Sequence, residues 1–140
     1  MDKARLPLVF RVLHWGVAIA VLLNAFVLEE GKLIHRYLGY VAVSLVLLRL
    51  LIHKKNPIDH YNPKAKYVYW SMWGAIIGLA STGFLMGLDR FFGNDLLEDI
   101  HEVFSNILIF LSVLHLGGVF FDAYKMKRKT WMLMISGEKD

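Results

Sequence analysis

The 140-residue chain contains no cysteine. That removes disulfides, thiolate metal sites, iron–sulfur ligation and covalent attachment of haem c. Charged residues make up only 20% of the chain and proline occurs three times. No glycine-rich nucleotide loop, catalytic triad, internal repeat or low-complexity tract is present. Also missing is a pair of Pro- or Gly-broken spans at corresponding places in two halves, which many transporter sites show. The first apolar run follows a basic start, as a secretory signal would. It ends in "LEEGK" without a small-residue cleavage site and contains His14 and Asn24, so a cleaved signal is not expected.

What is abundant is apolar sequence: 56% of residues, with mean hydropathy +0.46, a value soluble domains rarely reach. Four long apolar stretches run over about 8–28, 35–52, 67–88 and 100–121. A helix needs roughly 20 apolar residues to cross a bilayer, so each stretch is one span. Short connections favour antiparallel neighbours. The expected fold is an all-α membrane protein, a four-transmembrane-helix antiparallel bundle forming a single domain over residues 1–140. Gly74-x-x-x-Gly78 and Gly83-x-x-x-Gly87 in the third span suit close helix contact. Residues 56–64, "NPIDHYNPK", read as a turn-rich loop.

Charge orients the bundle. Lys3, Arg5 and Arg11 precede or open span one. Lys54, Lys55, Lys64 and Lys66 join spans two and three, and Lys125, Lys127, Arg128, Lys129 and Lys139 form the tail. An even number of spans places all three segments on one side, the cytoplasm by the positive-inside rule, with both termini there. The net charge of +4 then reflects topology and contact with anionic lipid headgroups, not nucleic acid. Trp15, Trp70, Trp73 and Trp131 fall near the expected interfaces and read as an aromatic belt.

The histidines carry the chemistry. His101 and His115 are fourteen residues apart in one span. At 1.5 Å per residue that is about 21 Å along the axis, and nearly four whole turns, so both project from one face. His14 lies as far below the outer end of span one as His115 lies below that of span four, and His35 opens span two at the level of His101. Four histidines thus form two depth-matched pairs. Paired imidazoles across a bundle are what a six-coordinate haem requires as axial ligands. Ala18, Gly39, Ser105 and Gly118 follow the four histidines at helical spacing and leave room for a flat macrocycle.

Each residue also has a plainer reading. A histidine near a span end is commonly interfacial, which covers His35 and His101 taken alone. His14 and His115 are deeper, where ionisable groups are functional candidates. A zinc site would draw three or four ligands together, unlike pairs held far apart. His53 and His60 read as solvated interfacial residues outside the site. Arg49, on the face of His35 at the depth of the inner pair, either meets a haem propionate or snorkels to the headgroups. Arg11, one turn before His14, could act likewise. Lys32 and Arg36, flanking His35, either meet outer propionates or are ordinary interfacial charge.

With "RVLHW" at 11–15, "HRYLGY" at 35–40 followed by Arg49, and the His101/His115 pair, the chain resembles the bacterial cytochrome b561 family along nearly its whole length. The tail "WMLMISGEKD" is similar to the endings of relatives that serve c-type cytochromes as b-type partners. The resemblance implies a multi-pass protein of the bacterial inner membrane with two haem b groups. One would be held by His14 and His115, the other by His35 and His101. It further implies electron transfer between the quinone pool, with quinone bound, and a redox partner. One branch of the family instead oxidises superoxide at its outer face and passes the electron to ubiquinone.

Three functions from different classes therefore stand open. The first is an electron carrier linking quinone to a partner protein. The second is an enzyme, a superoxide:quinone oxidoreductase. The third is a haem-free, proton-handling transporter or assembly bundle. The outer segments hold Lys32, Arg36 and Arg90 against Glu29, Glu30, Asp89, Asp95, Glu98, Asp99 and Glu102, a net of −4 from three basic and seven acidic residues. Such a face suits a cationic docking partner such as a basic c-type cytochrome and repels superoxide. A homodimer is compatible with the helix surface so small a bundle exposes.

Overall fold

The structure, a computed structural model, describes residues 5–55 and 62–139. Its four long helices are α1 (Leu8–Phe26), α2 (Leu33–Leu51), α3 (Ala65–Met86) and α4 (Asp95–Met126). All four are long and apolar enough to cross a membrane. In lipid only a helix satisfies every backbone N–H and C=O within its own segment, and the few polar side chains of the spans conform to that demand. Ser71, Ser81 and Ser112 each donate to the carbonyl four residues back, at 2.7, 2.8 and 2.8 Å. A hydroxyl is tolerated there because its own helix absorbs the proton.

Three helices agree with the apolar stretches to within a few residues. The fourth is longer than its apolar core: it begins at Asp95 and ends at Met126, not at residues 100 and 121. Asn94 caps its start by accepting from the Leu97 N–H at 3.1 Å, and Asp95 and Glu98 sit in its first turn, where the helix dipole favours negative charge. Thirty-two residues span about 48 Å, so α4 projects beyond a hydrocarbon core of roughly 30 Å.

α3 packs along α4, α1 along α2, and α2 along α3. Among the described residues neither α1 nor α2 lies closely along α4. The core is a small plug at mid-depth to which every helix contributes: Ala20, Ala42, Val46, Ala75, Ile76 and Leu108. Gly78 lets α3 and α4 approach, since a Cβ there would lie 2.8 Å from the Phe104 ring. Gly74, its partner in the small-residue motif, faces open space, so only half of that motif is a helix contact.

The tail forms a strap. α4 ends at Lys127 in the left-handed conformation (φ 50°), and the chain turns back. Arg128 binds both oxygens of Asp122 at 2.9 and 2.7 Å, and Thr130 donates to the same carboxylate at 2.6 Å. A short 3-10 helix, Thr130–Met134, carries Leu133 into a second apolar cluster with Leu6 and Phe10. Leu6 N–H then donates to the Gly137 carbonyl at 2.8 Å, and Arg5 pairs with Glu138 at 2.7 Å. The strap thereby joins the end of α4 to the start of α1.

Candidate functional site

α1 and α4 bring His14 and His115 together with ring centroids 6.2 Å apart and planes inclined at 54°. α2 and α4 bring His35 and His101 together at 6.4 Å and 58°. Two imidazole nitrogens each bonded to one metal at about 2.0 Å put their ring centroids about 6 Å apart. Both pairs therefore stand at the separation a bis-imidazole metal centre demands. The rings meet where α4 makes few close backbone contacts with α1 and α2. The donors also suit such a centre. Each pair offers two nitrogens, and no cluster of three or more His, Cys, Asp or Glu side chains occurs among the described residues. A closed zinc site wants four ligands. On separation and donor chemistry the residues fit haem.

The pairs sit on opposite sides of the apolar plug. Leu108 lies on α4 midway between His101 and His115. The ligand rings differ in their supports. His101 Nδ1 is 2.7 Å from Thr82 Oγ1. His35 Nδ1 is buried without a hydrogen-bond partner among the described residues, while its backbone carbonyl accepts from Asn24 Nδ2 at 3.0 Å. The ring of Trp15 stands edge-on to His14 at 5.4 Å, and its indole N–H donates to the strap at Met134 O, 2.9 Å away.

The small residues expected beside the ligands are unalike. Gly39 lies against the Asn24 amide, where a Cβ would be 3.6 Å from Nδ2, whereas Gly118 opens onto free space. Ala18 and Ser105 are half-buried.

The four basic candidates also differ. Arg49 places its guanidinium over the Phe10 ring at 4.4 Å and the Trp73 ring at 5.6 Å. It stays within the bundle rather than reaching out along its surface. Arg11 donates through Nη1 to the strap carbonyl of Ile135 at 2.6 Å, leaving its Nε buried and unpaired. Arg36 donates to the Tyr40 hydroxyl at 3.0 Å and lies against Gly87. Lys32 pairs with Glu29 in an exposed ion pair.

His53 is better connected than its sequence position suggests. It is half-buried against Trp70 (5.5 Å), Trp73 (5.9 Å) and Tyr69 (6.4 Å), and its Nδ1 faces Arg49 Nη1 at 3.4 Å. Burial, reinforced by the Arg49 charge, holds its pKa below the usual histidine value. The guanidinium is a donor only, so this contact suits a ring whose Nδ1 accepts. The signal available in the sequence was the i, i+4 spacing of Arg49 and His53. His60 lies outside the described residues.

Two interior pairs of imidazoles at two depths of a multi-span helical bundle are the layout of a membrane redox protein. The chain belongs to the prokaryotic cytochrome b561 family, whose family model matches residues 5–137. Membership makes it a multi-pass membrane protein and implies haem b binding and transmembrane electron transfer. No curated protein and no solved structure matches the chain.

Proposed function

We propose that the chain binds two haem b groups, one on His14 and His115 and the other on His35 and His101. Through them it passes electrons between membrane quinone and a c-type cytochrome at the outer face. The observation that carries this reading is the pair of ring separations, 6.2 and 6.4 Å. A haem with both axial positions filled supplies one-electron chemistry and leaves no open iron site for oxygen.

The protein's own contribution is placement and insulation. α4 carries one ligand of each pair and fixes their spacing. Between the pairs, Ala20, Ala42, Val46 and Leu108 are buried and apolar. Such a plug lets electrons pass and gives protons no titratable stepping stone, which disfavours a proton-handling bundle. Arg49 is the best placed of the basic residues to meet an inner propionate, since its head group lies at the inner end among Phe10, Trp73 and His53. In this reading the termini face the cytoplasm from the inner membrane, the orientation that the distribution of lysine and arginine favours.

The test is a reduced-minus-oxidised absorption spectrum of the purified protein, with haem counted per chain. We expect a low-spin b-type spectrum and two haems. His14→Leu and His35→Leu should each remove one haem and leave the other. A wild-type protein without haem would refute the reading, and one haem would refute one pair.

A further inference from the structure

We infer that Thr82 is a positioning residue for the outer pair. Its hydroxyl accepts a hydrogen bond from His101 Nδ1–H, which fixes that ring with Nε2 free to bind metal and makes it the more basic ligand of its pair. The inference rests on the assignment of His101 as an axial ligand.

Thr82 is a buried polar residue near the Met86 end of α3, 7% exposed. Its hydroxyl has one proton and two lone pairs. Oγ1 lies 2.9 Å from the Gly78 carbonyl oxygen and 3.1 Å from that of Leu79. Both are acceptors only and can take the Thr82 proton, as the i−4 carbonyls do for Ser71 and Ser81 on the same helix, and with Nε2 bound to metal the ring's own proton sits on Nδ1. The contact to His101 Nδ1 at 2.7 Å can then be a hydrogen bond only if the nitrogen brings the proton. A neutral imidazole protonated at Nδ1 presents its lone pair at Nε2.

The surrounding turn of α3 is shaped for the same purpose. Gly78 admits Phe104, one turn along α4 from His101, and Gly83 comes within 3.6 Å of His101 Cε1, measured from a Cβ built there. The ring thus lies close to the α3 backbone and is held at Nδ1. A hydrogen bond at the distal nitrogen orients a metal-bound imidazole and raises its basicity, and its loss commonly costs 10- to 100-fold in metal affinity. Among the described residues His35 has no such bond at Nδ1. The asymmetry places the electronic control of the outer centre at Thr82 and His101 rather than at His35.

Thr82→Val keeps the shape and removes the hydroxyl, whereas Thr82→Ser keeps the hydroxyl. Both are titrated spectropotentiometrically beside the wild type, the outer component being the one that His35→Leu abolishes. A less basic ligand favours ferrous over ferric iron. In Thr82→Val the outer midpoint should therefore rise by the equivalent of about tenfold in relative affinity, or about 59 mV for one electron. The inner midpoint should stay put, and Thr82→Ser should match the wild type. Loss of the outer haem in Thr82→Val with retention in Thr82→Ser supports the same role. Two retained haems with unmoved potentials in Thr82→Val overturn it. So does an equal change in both variants, which would mark a packing effect. A wild-type protein without haem would instead overturn the ligand assignment on which the inference stands.

Discussion

At Gly137 the backbone has φ +80°, and a Cβ built there would lie 2.8 Å from the Leu6 carbonyl oxygen and 3.4 Å from Arg11 Nε. A side chain at that point meets both a disfavoured backbone region and a rigid neighbour. Gly137→Ala should cost about 1–3 kcal/mol in the strap, seen as faster proteolytic nicking of the tail. Because Trp15 anchors the strap beside His14, the variant should also, with two haems bound as proposed, disturb the spectrum of the one assigned to His14 and His115 before the other. An unchanged cleavage rate would show that the strap holds without this close approach. Residue-scale detail of this kind was the least legible part of the sequence. The contacts of Arg11 and Trp15 with the strap join residues 124 and 119 positions apart, and no local periodicity encodes them. Thr82 was hidden for the same reason, since its partner is on another helix. His53 was read as solvated because Lys54 and Lys55 follow it, yet the rings of α3 enclose it from the other side.

Helices were far more readable, and the reason is physical. A bilayer admits only backbone that satisfies itself, so apolar length alone locates a span, and fixed rise per residue turns sequence spacing into depth. That is how the facing of His14 with His115 and of His35 with His101 could be anticipated before any contact was known. The same logic fails where a helix leaves lipid. The ends of α4 are polar, and its Asn94 cap and acidic first turn had to be seen to extend it. Spacing also cannot tell which small residue faces a neighbour. Gly74 and Gly78 look equivalent in sequence, but only Gly78 meets another helix. Gly78→Ala must displace the Phe104 ring from α3 and should lower stability by about 1–3 kcal/mol, whereas Gly74→Ala should be neutral. Thermal unfolding in detergent compares the two, and equal midpoints would mean that the α3–α4 contact tolerates the added methyl.

For the whole molecule, charge bears on how the proposed cationic partner would arrive. The segments at the outer ends of the helices carry seven acidic and three basic residues, and Lys32 is already paired with Glu29. Glu98, Asp99 and Glu102 are exposed along the first turns of α4, the helix that also carries His101. A cationic partner drawn to that rim therefore approaches the outer histidine pair. Steering by exposed charge acts on the encounter rate and is screened beyond about 8 Å at physiological salt. Electron exchange between the reduced protein and a basic c-type cytochrome should then slow by about tenfold between low salt and about 0.15 M. Reversal of Asp99 and Glu102 to lysine should reproduce that loss at low salt and leave the haem spectra intact. Stopped-flow oxidation measures both. A rate indifferent to salt and to the reversed charges would mean that the acidic rim serves topology alone, and the partner would have to be sought within the membrane plane.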